Sequence, residues 1–127
     1  MSLGSNPHSL PATRMVKGGF TITLPEHSIF TDVLYAVQEV TGVTKEDILS
    51  KTRKGEVVDA RHVAIYFTYH LAGKGVNWVA MKFNRDHTLV SYAHNKVNDL
   101  RYIDREYSQL TDKVEDLLIH NARRYDT

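Results

Sequence analysis

The residues from Arg85 to Val90 bring a cation, a carboxylate, an imidazole and a hydroxyl together at the start of a predicted helix. A shorter apolar-patterned segment, Val76 to Phe83, precedes them, so the two segments together predict a helix-turn-helix. In such a motif the first turn of the second helix enters the major groove of DNA. The imidazole of His87 and the hydroxyl and methyl groups of Thr88 suit contacts with base edges there.

These polar side chains also have a purely structural interpretation. Asp86 and Thr88 are of the types that cap helices, and an Arg such as Arg85 is common on any protein surface. Capping and base contact are compatible, so both roles stay open. Under the binding interpretation, we expect Arg85 to meet phosphate or a guanine edge.

A basic loop, Lys51-Thr52-Arg53-Lys54-Gly55, lies upstream and precedes another predicted helix. Lys51 and Lys54 could contact phosphates, which would release counterions and make affinity fall steeply with salt. Between Ser50 and Lys96 there are eight Lys or Arg against three acidic residues, so this segment carries +5 and the rest of the chain −4. The asymmetry favours a basic face, although charged segments are also ordinary solvated surface.

The composition sets the limits of function. At 127 residues, the chain is long enough for one domain with a substantial core. It has no cysteine, which excludes disulfides and thiolate metal sites. The sequence shows no membrane span and no secretory signal peptide, so we expect a cytoplasmic protein that does not bind membranes.

Apolar residues recur at helical spacing through most of the chain. Gly42 and Gly73 follow two of the stripes as stop signals, and Thr44 is a candidate N-cap. The predicted helices cover about 27–41, 45–50, 57–72, 76–83, 86–101 and a last segment beginning near Ile103. The sequence therefore predicts an all-α fold, a compact bundle of about six helices that contains a helix-turn-helix at about 76–101.

The two ends differ from this helical body. Residues 1–25 show no helical period, and we expect a flexible N-terminal lead there, followed by the helical domain over 26–123 and a tail over 124–127. Within the lead, residues 20–24 alternate like a strand, but no partner strand is evident. Pro25 ends the alternation.

The last apolar stripe has a heptad-like spacing. Its members are Ile103, Tyr107, Leu110, Val114 and Leu117, with gaps of 4, 3, 4 and 3 residues. The stripe could pack against the rest of the domain, or it could form a coiled coil with a second copy. A homodimer through this C-terminal helix therefore remains an alternative.

The order of these parts resembles the C-terminal DNA-binding domain, domain IV, of the bacterial replication initiator DnaA. That family has a basic loop, a helix that starts near an Arg-Gln pair, and a helix-turn-helix with a signature resembling Gly-Gly-Arg-Asp-His-Thr-Thr-Val. Here the corresponding stretch is Phe83-Asn84-Arg85-Asp86-His87-Thr88-Leu89-Val90. The resemblance covers roughly residues 27–122 and implies a bundle of the DnaA domain IV or Trp-repressor-like class.

The resemblance also implies roles for individual residues. It implies that Asp86, His87 and Thr88 contact bases in the major groove and that Arg53 enters the minor groove. It further implies that Arg61 contacts the sugar-phosphate backbone of the DNA. The complete set of expected DNA-binding residues is Lys51, Arg53, Lys54, Arg61, His62, Asn77, Arg85, Asp86, His87, Thr88 and Leu89. The implied function is sequence-specific binding of double-stranded DNA, similar to the recognition of replication-origin boxes.

Four positions depart from the family pattern. Asn84 stands where two glycines precede the signature Arg, and Leu89 replaces the second Thr. His62 replaces the Gln beside Arg61, and Asp59 adds a negative charge. Asn84, Leu89 and Asp59 favour the first of two alternatives, a helical protein-interaction module; the second is a phage or mobile-element regulator with altered or lost specificity.

The sequence contains no recognisable motif for catalysis or for binding a cofactor. No phosphate-binding Gly-x-x-x-x-Gly-Lys-Ser/Thr loop occurs, so we expect no bound nucleotide. The seven histidines include no pair three or four residues apart, so no single helix presents a metal-binding pair. We therefore expect a non-enzymatic protein without cofactor or metal, either a detached domain or a small protein made of that domain alone.

Overall fold

The structure, a computed structural model, describes residues 12–15, 21–24 and 28–122. Within them the chain forms two strands and six helices. The elements are β1 (Ala12–Met15), β2 (Thr21–Leu24), α1 (Ile29–Thr41), α2 (Lys45–Leu49), α3 (Gly55–Ala72), α4 (Val76–Phe83), α5 (His87–Ile103) and α6 (Arg105–Ala122). The rest of the predicted lead and the predicted tail 124–127 lie outside the described residues.

Helix α3 is the central element of the bundle. Every side chain from Ala60 to Thr68 is buried, because α1 and α5 pack along it and α2 and α4 lie at its sides. Apolar residues of α1, α4 and α5 that recur at helical spacing are also buried, among them Val33, Val79 and Val97. The six-helix bundle confirms the predicted fold class.

The turns that separate the first helices follow from local chemistry. Gly42 and Gly73 adopt left-handed conformations, with φ of 78° and 63°, immediately after α1 and α3. The Thr44 hydroxyl accepts the backbone N–H of Asp47 at 3.2 Å and caps α2. These stop and cap assignments were predicted from the sequence and are confirmed.

The strand-like segment near residue 20 does have a partner. Strands β1 and β2 pair antiparallel, with Ala12 opposite Leu24 and Met15 opposite Thr21. The interpretation that no second strand exists was therefore wrong, because β1 lacks an alternating apolar pattern that would mark it. The hairpin lies beside the bundle, with β1 near α3 and β2 near α6.

The predicted stripe on the last helix was partly wrong. Asp104 interrupts the helix, and its carboxylate accepts the backbone N–H of Tyr107 at 3.0 Å. Helix α6 therefore begins anew at Arg105, and its buried face does not continue the stripe that includes Ile103. Ile103 consequently lies at the end of α5 and is 74% exposed. The buried positions of α6 are Thr111, Val114, Glu115, Leu118 and Ala122. This face packs on its own domain, and a homodimer stays a prediction.

An ion-pair network joins α5 to α6. The Arg101 guanidinium donates to Asp112 at 3.0 Å and to the buried carboxylate of Glu115. It also lies over the rings of Tyr66 and Phe67, with ring centroids 5.6 and 5.5 Å away. Glu115 therefore raises the pKa of Arg101 against the opposing effect of burial, and the network fixes the two helices to α3.

None of the helices in the described part of the chain combines the length and the apolar character needed to cross a membrane.

Candidate nucleic-acid interface

Helices α4 and α5 form the predicted helix-turn-helix, joined by the residues Asn84, Arg85 and Asp86. Asn84 ends α4 in a left-handed conformation, with φ of 53° and ψ of 50°. The following N–H, that of Arg85, donates back to the carbonyl of Ala80 at 2.9 Å and closes the turn. Asn is one of the few residue types that adopt this conformation readily, so Asn84 can end the helix in the left-handed conformation that glycine usually takes.

Asp86 caps α5 and organises its first turn. One carboxylate oxygen accepts both the backbone N–H and the hydroxyl of Thr88, each at 2.8 Å. These hydrogen bonds, together with the neighbouring His87, lower the pKa of Asp86. Nδ1 of His87 lies 3.4 Å from the same carboxylate oxygen. The capping interpretation is thus correct, and it directs the hydroxyl hydrogen of Thr88 toward Asp86.

The same turn is exposed to solvent. The side chains of Asp86 and His87 are 69% and 65% exposed, and Thr88 is exposed as well. The Thr88 oxygen keeps acceptor capacity and its methyl group is available for apolar contact. Leu89 differs, because it is half-buried and packs against the core.

The basic loop, residues 51–54, is attached to the helix-turn-helix by two long-range hydrogen bonds. Nζ of Lys51 donates to the carbonyl of Asn84 at 2.6 Å, and Nη2 of Arg85 donates to the carbonyl of Ser50 at 2.7 Å. These bonds join residues that are 33 and 35 positions apart in the sequence. The loop and the tip of α5 therefore lie next to each other, on one side of the molecule.

Arg61 lies beneath this loop and is 3% exposed. Its guanidinium donates to the carbonyls of Ile48 and Ser50, both at 2.8 Å, and to that of Asp47 at 3.3 Å. Burial, followed by repulsion from Arg85, lowers the pKa of Arg61. The structure thus places Arg61 under the loop rather than on its surface, where it holds the end of α2.

His62 is also buried, at 4% exposure, and its ring packs edge-on against Tyr92 with centroids 5.7 Å apart. Among the residues that the structure describes, its Nδ1 has no hydrogen-bond partner. Burial and the nearby cation of Lys96 lower its pKa to about 4, despite an opposing effect of Asp59. His62 is therefore neutral at pH 7, and the structure does not bring it to the surface with the other predicted residues.

The remaining predicted residues are exposed. Arg53 and Lys54 lie in the basic loop, and Nζ of Lys54 is 3.2 Å from a carboxylate oxygen of Glu56. Asn77 lies in the first turn of α4. These three residues are exposed polar or cationic groups, but only the basic loop is attached to the turn before α5, because Asn77 lies at the other end of α4.

Two further residues on this surface were missed by the sequence analysis. Tyr92 and Lys96 follow Thr88 at intervals of four residues, so all three share one face of α5. Tyr92 is 57% exposed, and Nζ of Lys96 lies 5.8 Å from the centroid of its ring. The four-residue spacing was the signal that could have identified them.

Comparisons with known proteins match this arrangement. The family described as "Bacterial dnaA protein helix-turn-helix" matches residues 30–97. The chromosomal replication initiator protein DnaA of Pseudothermotoga lettingae is 36% identical over 78 residues, which cover 61% of this chain and 17% of that protein. DnaA of Leifsonia xyli subsp. xyli is 28% identical over 121 residues, covering 90% of this chain and 25% of that protein.

A solved structure shows the same likeness. The crystal structure of a DNA replication initiation factor matches with a TM-score of 0.62 and 26% identity, over 76% of this chain and 31% of that one. This chain thus spans a quarter or less of the length of the two initiator proteins. With the family match extending from α1 into α5, the chain belongs to the bacterial DnaA helix-turn-helix family.

Proposed function

We propose that this chain binds double-stranded DNA in a sequence-specific manner, with the tip of α5 in the major groove and the basic loop in the adjacent minor groove. The observation that carries this proposal is the attachment of the loop to the turn, from Lys51 to Asn84 and from Arg85 to Ser50. Because these two elements lie side by side, one stretch of duplex can contact both.

The surface chemistry supports a division of labour between the two elements. His87 and Thr88 offer a ring with donor and acceptor nitrogens, an acceptor oxygen and a methyl group to base edges. Arg53 offers a guanidinium, which suits the negative potential of a narrow minor groove over A·T-rich sequence. We assign Lys54 and Asn77 to phosphate contacts, which would fix the register of the protein on DNA.

The buried and anchored residues support the interface from behind. Arg61 holds the end of α2, just before the loop, through three carbonyls, and His62 packs under Tyr92, so we assign both to positioning rather than to direct contact. Lys51 and Arg85 use part of their donor capacity inside the protein and keep other N–H groups for phosphate. Tyr92 and Lys96 extend the surface along α5.

We further propose that the preferred DNA site resembles the origin box of DnaA proteins, since the matched relatives are named replication initiators. A fluorescence anisotropy titration with a duplex that contains a DnaA box, at about 50 and 200 mM salt, tests both statements. We expect tighter binding to the box than to a scrambled duplex, and a loss of affinity for both at the higher salt. Absence of binding at low salt would overturn the proposal and favour a protein-interaction role, whereas equal binding to both duplexes would overturn only its specificity.

A further inference from the structure

Two histidines that are distant in the sequence meet on the flank of the bundle. His70 lies in the last turn of α3 and His94 lies in the middle of α5. Their Nε2 atoms are 2.9 Å apart. No two histidines of the sequence are three or four residues apart, but this pair is formed between two helices that pack together.

The rings approach each other through their nitrogen edges. Their centroids are 4.8 Å apart and their planes are inclined by 37°, so the rings are not stacked face to face. Nδ1 of His94 lies 3.3 Å from the side-chain oxygen of Asn95. If Nδ1 donates its proton to this oxygen, Nε2 of His94 accepts the hydrogen bond between the two rings, and Nε2 of His70 carries the proton in the metal-free protein. A Nδ1 held by an acceptor is also the arrangement of a metal-ligating histidine.

Aromatic side chains hold both rings in place. Tyr66 packs against His70 and stacks on His94, with centroid distances of 4.5 and 5.7 Å, and Tyr69 packs on His94 at 4.9 Å. A surface cavity of about 350 Å³ lies beside the pair and is lined by Tyr69, His70, Gly73 and Gly75. Both rings are thus held by packing, and His70 borders a space that water can fill.

We propose that His70 and His94 form a binding site for a divalent transition-metal ion that links α3 to α5. An ion about 2.0–2.1 Å from each nitrogen, with a right angle between the two bonds, requires nitrogens about 2.9 Å apart. The observed separation of 2.9 Å equals this distance, so the ion can replace the hydrogen bond once the ring that donates it changes to its Nδ1–H tautomer. A tetrahedral zinc ion would need the nitrogens about 3.3 Å apart, so the geometry favours Ni²⁺ or Cu²⁺ in adjacent coordination positions.

The remaining ligands of this ion would be water. Within residues 28–122, no group of three or more His, Cys, Asp or Glu side chains comes together to complete a protein cage. The adjoining cavity supplies the room for these waters. The site differs in place from the candidate DNA interface. His70 follows Arg61 by nine residues on α3, about 13 Å along the helix, and His94 lies on the other side of α5 from Tyr92 and Lys96.

The test is a titration of the untagged full chain with NiCl₂ at pH 7.5, followed by calorimetry and by thermal unfolding. We expect one ion per chain and a rise of about 5 °C in the unfolding midpoint at saturating metal, because the ion binds the folded state only. His70→Gln and His94→Gln should each weaken binding at least tenfold and remove this rise. His120→Gln, which changes an exposed histidine on α6, is the matched control and should bind as the unmodified chain does.

Circular dichroism and the metal-free unfolding midpoint establish that each variant is folded before it is titrated. In addition, the electron paramagnetic resonance spectrum of the Cu²⁺ complex should show coupling to two equivalent imidazole nitrogens. The assignment is overturned if the chain shows no saturable binding, or if either Gln variant at position 70 or 94 retains the affinity and the midpoint rise. It is also overturned if His120→Gln abolishes binding.

Discussion

Thr88 illustrates how one side chain on the surface can serve both folding and recognition. Its hydroxyl donates to Asp86 as part of the helix cap, while its oxygen and methyl group face solvent at the tip of α5. The cap does not depend on this hydroxyl alone, because Asp86 also accepts the backbone N–H of Thr88. Substitution of Thr88 can therefore change recognition without removing the helix start.

For this reason we predict that Thr88→Ala lowers affinity for the preferred duplex by about 1–3 kcal/mol and changes affinity for a scrambled duplex little. Lys54→Ala is the comparison, since a phosphate contact carries no sequence information. It should weaken both complexes about equally and reduce the salt slope by about 1. Anisotropy titrations over a range of salt concentrations measure both effects.

Unchanged unfolding midpoints in the two variants would show that the cap and the loop persist. If Thr88→Ala weakened binding to both duplexes to the same extent, the assignment of this residue to base contact would be wrong.

At the scale of the elements, the connection between α4 and α5 decides the direction in which the recognition helix points. Asn84 holds the left-handed conformation that starts the turn, and the Arg85 N–H closes it on Ala80. A residue with an ordinary side chain at position 84 would be strained there by roughly 1 kcal/mol or more. Glycine would not be strained, because it has no Cβ.

We therefore predict that Asn84→Ala lowers the free energy of unfolding by about 1 kcal/mol, whereas Asn84→Gly leaves it unchanged or raises it slightly. Urea denaturation monitored by circular dichroism provides the measurement. The hydrogen bond from Lys51 is the same in both variants, because it is accepted by the main-chain carbonyl of residue 84 and not by its side chain. Equal stabilities of the Ala and Gly variants would contradict the left-handed turn.

The elements also show which parts of the structure can be predicted from the sequence. The helix-turn-helix was predicted because its boundaries depend on local chemistry, with caps and apolar spacing contained in the residues around 76–101. The inward orientation of Arg61 was not predictable, because its partners are main-chain carbonyls of residues 47–50 that no side-chain pattern reveals. The β1 partner and the His70–His94 contact were missed for a related reason: both depend on long-range packing.

At the scale of the whole molecule, α3 links stability to the candidate interface. It carries Arg61 and His62 beneath the basic loop and α5, and it is buried along most of its length. His62 is neutral in this environment, with a pKa lowered from 6.5 to about 4. The unfolded chain binds a proton at this histidine below about pH 6.5, whereas the folded chain does not until about pH 4.

Between these two values the unfolded state holds more protons, so the free energy of unfolding should fall as the pH is lowered from 6.5 to 4. The contribution of His62 to this decrease is at most about 3 kcal/mol and is complete near pH 4. We predict that His62→Gln flattens the pH dependence in this window, since glutamine does not titrate. Chemical denaturation at half-unit steps from pH 4 to 7.5 measures it, and an unchanged slope in the variant would rule out His62 as the cause.

The carbonyl oxygen of Ser50 is shared by Arg61 from the central helix and by Arg85 from the turn. This shared acceptor couples the basic loop to the turn, the two elements proposed to contact DNA, because neither can shift without disturbing a hydrogen bond of the other. The change in binding free energy of a double variant, with one substitution in the loop and one at the tip of α5, should then differ from the sum of the two single changes. If the proposed binding mode holds, insertion of the tip of α5 into the major groove would fix the position in which the basic loop enters the minor groove.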